Sequence, residues 1–196
     1  SWSLRFIVPG HTQTGTHDIS IAFADAGGTL YAGTLNGSTT HLNILRTSSA
    51  LALDPMTILV ERPDEDQPWV VAATQTVDGV THDRVYVGNN NFDQPGHQTA
   101  TVDLSLDAAT ASPTSGFAPL RLEHRSAAGG QDGPQVRIAV HADGTVYATY
   151  QCWTSFTDSN ITFDVLVTRD DSWGSGDSAF GALLDSSDQM VGQRVA

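Results

Sequence analysis

Four arginines, Arg46, Arg84, Arg137 and Arg169, supply planar guanidinium forks of the kind that grip carboxylates in pairs of parallel hydrogen bonds. If a ring of repeated units brought them together, they would hold one anionic ligand. If it did not, the same forks would tie neighbouring units to one another through carboxylates such as Asp66 and Asp170, and this structural use is the favoured one. Asn91 and Trp153 lie in two long polar loops that also hold aromatics, 89–97 and 150–160, each expected to follow the second strand of its unit. Rings beside amides and carboxylates compose surfaces that recognise sugars or peptides, so both residues are candidate ligand contacts. Packing of Trp153 and Phe156 between units is an equal alternative.

Asp170 and Asp171 offer the hard oxygens that calcium takes, as does the run Asp64-Glu65-Asp66. No EF-hand spacing accompanies them, so solvated or arginine-paired acids are the default and no cofactor is required. The seven histidines include no His-x-x-x-His pair, which argues against a zinc or haem site. The single cysteine, Cys152, cannot form an internal disulfide and reads as a small buried hydrophobe.

Nine Lys+Arg against 22 Asp+Glu leave a formal net charge of -13, whose field opposes nucleic acid and anionic membrane surfaces. No apolar run reaches the roughly 20 residues needed to cross a bilayer, so membrane insertion is not expected. Ser1-Trp2-Ser3-Leu4-Arg5 has no basic-then-apolar signal pattern. Abundant Thr, Ser, Asn, Gly and Asp lean towards an extracellular or periplasmic β-protein.

The elements that must position these residues repeat. One phrase occurs three times: Gly28-Thr29-Leu30-Tyr31-Ala32-Gly33, Asp83-Arg84-Val85-Tyr86-Val87-Gly88 and Gly144-Thr145-Val146-Tyr147-Ala148-Thr149. Each follows an apolar strand candidate, at 19–23, 69–73 and 136–140, and precedes an alternating run, at 41–45, 100–106 and 163–167. Turns at 26–28, 77–79 and 142–144 join them as antiparallel hairpins, and 57–60 and 120–123 supply fourth strands. No window carries a sustained helical stripe. The expectation is an all-β chain of about three four-stranded antiparallel blades, at 15–65, 66–125 and 126–190, forming one portion of a β-propeller. Repetition marks Tyr31, Tyr86 and Tyr147 as core residues.

Several stretches resemble the sialidase-like BNR/Asp-box β-propeller proteins of bacteria, often labelled exo-α-sialidases. They include Gly27-Gly28-Thr29-Leu30-Tyr31, Ile44-Leu45-Arg46-Thr47, Asp66-Gln67-Pro68-Trp69-Val70, Asp83-Arg84-Val85-Tyr86-Val87-Gly88-Asn89, Asp143-Gly144-Thr145-Val146-Tyr147 and Val167-Thr168-Arg169-Asp170-Asp171-Ser172-Trp173-Gly174. The resemblance implies six blades in a closed ring, of which three would be half. It also implies a site of three arginines, a tyrosine nucleophile with a glutamate beside it and an aspartate acid/base. That set cannot be assigned here. The arginine-isoleucine-proline motif is replaced by Arg5-Phe6-Ile7-Val8-Pro9, and the Asp box is degenerate at Arg169-Asp170-Asp171-Ser172-Trp173.

Three functions follow as expectations. The first is a non-catalytic propeller module for a glycan or protein partner. The others are an exo-glycosidase completed by residues outside the chain, and a structural subunit whose ring other chains complete. On this reading Val191-Gly192-Gln193-Arg194-Val195-Ala196 begins another blade and Trp2 to Pro9 ends a preceding one.

Overall fold

The computed structural model describes residues 16–24, 28–36, 41–51, 54–94, 96, 98–113, 115–125 and 136–196. They form three four-stranded antiparallel sheets, each running in chain order from one edge to the other. The first sheet holds β1 (Thr16–Phe23), β2 (Leu30–Asn36), β3 (His41–Thr47) and β4 (Thr57–Arg62). The second holds β5 (Glu65–Val77), β6 (Val80–Asn91), β7 (Ala100–Ser105) and β8 (Ala118–Arg121). The third holds β9 (Arg137–Val140), β10 (Val146–Thr157), β11 (Asn160–Asp170) and β12 (Gln193–Arg194). Among the described residues no helix is long and apolar enough to cross a membrane.

Strand alternation gives each sheet two apolar faces, and the sheets stack through them. Tyr31, Leu42 and Ile44 of the first sheet meet Val70, Val85 and Val87 of the second in one core. The opposite face of the second sheet, with Tyr86, Val102 and Leu104, meets Ile138, Ala148, Tyr150 and Leu166 of the third in another. The first strands lie together, β1 against β5 and β5 against β9. A side chain ties the first junction, where Val70 N donates to Ser20 Oγ at 3.0 Å.

Two glycines set how closely the sheets approach. A Cβ on Gly33 would lie 2.8 Å from Pro68 Cβ, and one on Gly88 would lie 2.3 Å from the Val136 carbonyl oxygen. Each glycine stands two residues after a repeat tyrosine, on the same face, so the next sheet's first strand passes directly over it. In the third repeat Thr149 stands in that place.

The tyrosines follow the same geometry, which corrects the expectation that all three are core. The Tyr31 hydroxyl donates to Asp83 Oδ2 of the second sheet at 2.7 Å, and that of Tyr86 donates to the Trp173 carbonyl at 3.0 Å. Both are fully buried, whereas Tyr147 is 41% exposed. No further sheet covers the face on which Tyr147 lies among the described residues.

Two more expectations are corrected. Residues 150–160 are not a loop but the long hairpin of β10 and β11, with a turn only at Asp158-Ser159, where Asp158 takes a φ of 56°. Its alternating aromatic and β-branched residues favour pairing over an open loop. Asn89 to Asn91 likewise belong to β6, ahead of the following turn. The segment 191–196 does not begin another blade, because Gln193 and Arg194 pair with Val167 and Leu166 as the fourth strand of the third sheet. Backbone hydrogen bonds between Val165 and both Val195 and Ala196 extend that pairing. The stretch Trp2 to Pro9 lies outside the described residues.

Substituting Gly88→Ala should cost about 1–3 kcal/mol in urea unfolding, because the methyl meets a backbone carbonyl. Gly33→Ala, which meets side chains, should cost less. Equal midpoints for both variants and the parent would contradict the close approach.

Candidate functional site

The four arginines occupy four different strands, β3, β6, β9 and β11. Arg46 Nη1 reaches across to the second sheet and donates to the carbonyls of Ala108, Ala109 and Ala111. Arg84 stays within its own sheet, held by Gln75 Oε1 and the Leu106 carbonyl. Arg137 lays its guanidinium over the Trp69 ring of the second sheet, with Cζ 3.9 Å from the centroid. Arg169 pairs with Asp171 two residues on, Nε to Oδ1 at 2.8 Å. Every fork thus has a local or inter-sheet partner.

Asp170 is buried, and backbone N–H groups occupy both its oxygens. Ser172 N at 2.8 Å and Gly174 N at 2.6 Å donate to Oδ1, and Phe180 N donates to Oδ2 at 3.1 Å. The side chain therefore shapes the loop after β11, the stretch that resembles an Asp box. Among the described residues no group of three or more His, Cys, Asp or Glu side chains could hold a metal ion.

Sequence reading missed a buried acid pair at the start of β5. Glu65 and Asp103 are both fully buried. Arg62 Nε donates to Asp103 Oδ1 at 3.0 Å, with Nη2 in ion-pair contact with the same oxygen at 3.0 Å, and Asn89 Nδ2 donates to Oδ2 at 3.0 Å. Asn91, a candidate ligand contact, instead donates from Nδ2 to Glu65 Oε1 at 2.8 Å. A side-chain hydrogen bond joins the Glu65 and Asp103 carboxyls. Burial first and the Asp103 charge second push the Glu65 carboxyl up to about 9, with Arg62 opposing, and burial also raises Asp103. One proton is shared within a sealed site.

Cys152, in β10 of the third sheet, is buried, as expected, with its thiol pushed up to about 12 by burial and then by the Glu123 charge. Such a thiol is a poor nucleophile at neutral pH. The Tyr31 and Tyr86 phenols are likewise raised well above their ordinary value, chiefly by burial.

The outer face of the third sheet is accessible. Strand register places Arg137, Tyr147, Thr149, Val167 and Arg169 together there, in a shallow apolar depression flanked by charge. Towards the tip of the hairpin the same face continues through Phe163, Phe156 and Ile161, all exposed. Trp153 stacks on Phe156 at a centroid distance of 5.7 Å and is itself buried. Three candidates, Arg137, Trp153 and Arg169, thus share this sheet. Arg46, Arg84 and Asn91 belong to the other two.

Comparison with protein-family models, curated proteins and solved structures finds no match for this chain.

The shared proton sets a pH dependence. Folded Glu65 keeps a proton that the unfolded chain releases above about 4.5. Its stabilisation is complete below that pH, declines as pH rises and is gone above about 9, by at most about 1.4 kcal/mol per unit. Glu65→Gln should flatten this decline in denaturant melts between pH 5 and pH 9. An unchanged slope would show that Glu65 is ionised when folded. Because backbone donors fill Asp170, chelation by EDTA should leave the melting temperature unchanged. A fall reversed by calcium would restore a metal role for Asp170 and Asp171.

Proposed function

We propose that the chain is a portion of a sialidase-like β-propeller that serves as a non-catalytic binding module in an extracellular or periplasmic setting. It engages a protein partner through the outer face of its third sheet. The observation that carries this reading is a cross-strand pair found twice. Tyr31 opposite Arg46 in the first sheet is seated on the second sheet, through Asp83 and three backbone carbonyls. Tyr147 opposite Arg169 in the third sheet is the same pair on the equivalent face, and Tyr147 is exposed. A face built to dock and left open is a binding surface.

Three features support the propeller part of the reading: the stacked four-stranded meanders, the adjoining first strands and the recurrence of the docking phrase. Its non-catalytic part is supported by the separation of the arginines and by the burial of two of the three repeat tyrosines, which removes them as nucleophiles. The reading requires no cofactor.

A fluorogenic sialoside offered to the purified chain should be turned over no faster than in buffer. Turnover that Tyr147→Phe abolishes would contradict the non-catalytic reading and favour an exo-glycosidase.

A further inference from the structure

We infer that the partner on the outer face of the third sheet is the first sheet of a second copy of this chain, so that two copies close head to tail into a ring of six sheets. This rests on the propeller reading above. The three sheets have a direction, because each junction joins a donating face, with the repeat tyrosine, to a receiving face on the next sheet.

Register identifies the receiving positions. Val70 precedes Val71, the partner of Tyr86, and Ile138 precedes Ala139, the partner of Tyr147. Both Val70 and Ile138 are buried, at 4% and 7% exposure, against the sheet before them. Ile21 holds the same place, one residue before Ala22, the partner of Tyr31, and is 57% exposed. Ile19 and Phe23 flank it on the same face, each 53% exposed. Among the described residues the chain therefore carries one uncovered donating face and one uncovered receiving strand of the same repeated junction. Beyond β1 the receiving face is already buried at Ala32, Thr34, Asn43 and Leu45, so among the described residues its free surface is confined to the β1 strip.

The polar half of the junction is also incomplete at both ends. Arg46 and Tyr86 each donate to carbonyls in the loop after the third strand of the next sheet, at 108–111 and at Trp173. The corresponding loop of the first sheet follows β3. It presents exposed Ser49, Ala50, Leu51 and Asp54, and Leu51 is 87% exposed. Seating Tyr147 and Arg169 of one copy on this loop of the other would repeat the internal contact. Thr149 replaces the glycine of the internal junctions, so the copies meet at a wider spacing between first strands than the sheets within a chain.

Such a junction is heterologous, and two of them related by a two-fold axis close a ring. Copies of charge -13 repel at low salt, so association is measured at about 0.15 M, where the Debye length is about 8 Å.

Sedimentation equilibrium of the chain should give twice the 20.8 kDa chain mass. Tyr147→Asp and Ile21→Asp lie on exposed positions and should each keep the parent's circular dichroism while raising the dissociation constant at least tenfold. Mixed one to one, the two variants should recover a dimer, since one junction of the pair is then intact on both sides. A monomeric parent, an unimpaired Ile21→Asp or a mixture that fails to pair would overturn the self-pairing. None of these results would bear on the binding-module reading, which stands or falls on the sialoside assay.

Discussion

The architecture depends on how closely one sheet's first strand can pass over the sheet before it. At Gly33 and Gly88 the approach leaves no room for a side-chain carbon, and this closeness brings the tyrosine two residues earlier within reach of the next sheet. Tyr31 and Tyr86 then bury their rings and place their hydroxyls on fixed acceptors. A buried phenol needs such a partner, because an unsatisfied hydroxyl in a dry interface costs more than its hydrogen bond contributes. Glycine, tyrosine and acceptor thus form one device, repeated at both internal junctions. At the third position Thr149 and an exposed Tyr147 mark where it stops.

The charged groups serve the same end. All nine cationic side chains are arginine, and the inter-sheet forks work through backbone carbonyls and an aromatic ring more than through carboxylates. Planar forks with several donors suit this better than a point charge would. Acids left without cations satisfy themselves locally, as Asp170 does with backbone N–H groups and Glu65 does by keeping its proton. An acidic chain can in this way seal carboxylates between its sheets without a counter-ion for each. Arg194 is the exception that gathers several acids, Asp164, Asp185 and Asp188, and so fastens the last strand to the third sheet.

Much of this fold was legible because its strands alternate and its docking phrase recurs. The tyrosine repeat located all three sheets, and Thr57-Ile58-Leu59-Val60 and Leu120-Arg121-Leu122-Glu123 pointed to fourth strands. The fourth strand of the third sheet was misread because Gln193 and Arg194 carry no apolar signal, and they pair only because β11 offers a free edge. The change from Gly88 to Thr149 was visible in the repeat, but its meaning required the register that sets a first strand over that position. The Glu65 and Asp103 pair was invisible, since residues 38 apart meet only after β5, β6 and β7 have paired. The arginines could not be placed from sequence because the same residue type docks sheets, caps loops and binds ligands.

The central claim is that a tyrosine on one sheet is seated on the next by a specific hydrogen bond. A double-mutant cycle between Tyr31→Phe and Asp83→Asn in equilibrium unfolding tests it most directly. The account predicts a coupling of about 1–3 kcal/mol, as for a hydrogen bond to a charged acceptor in a buried junction. Effects that add to within about 0.3 kcal/mol would contradict it, because the first and second sheets would then not be joined through that contact.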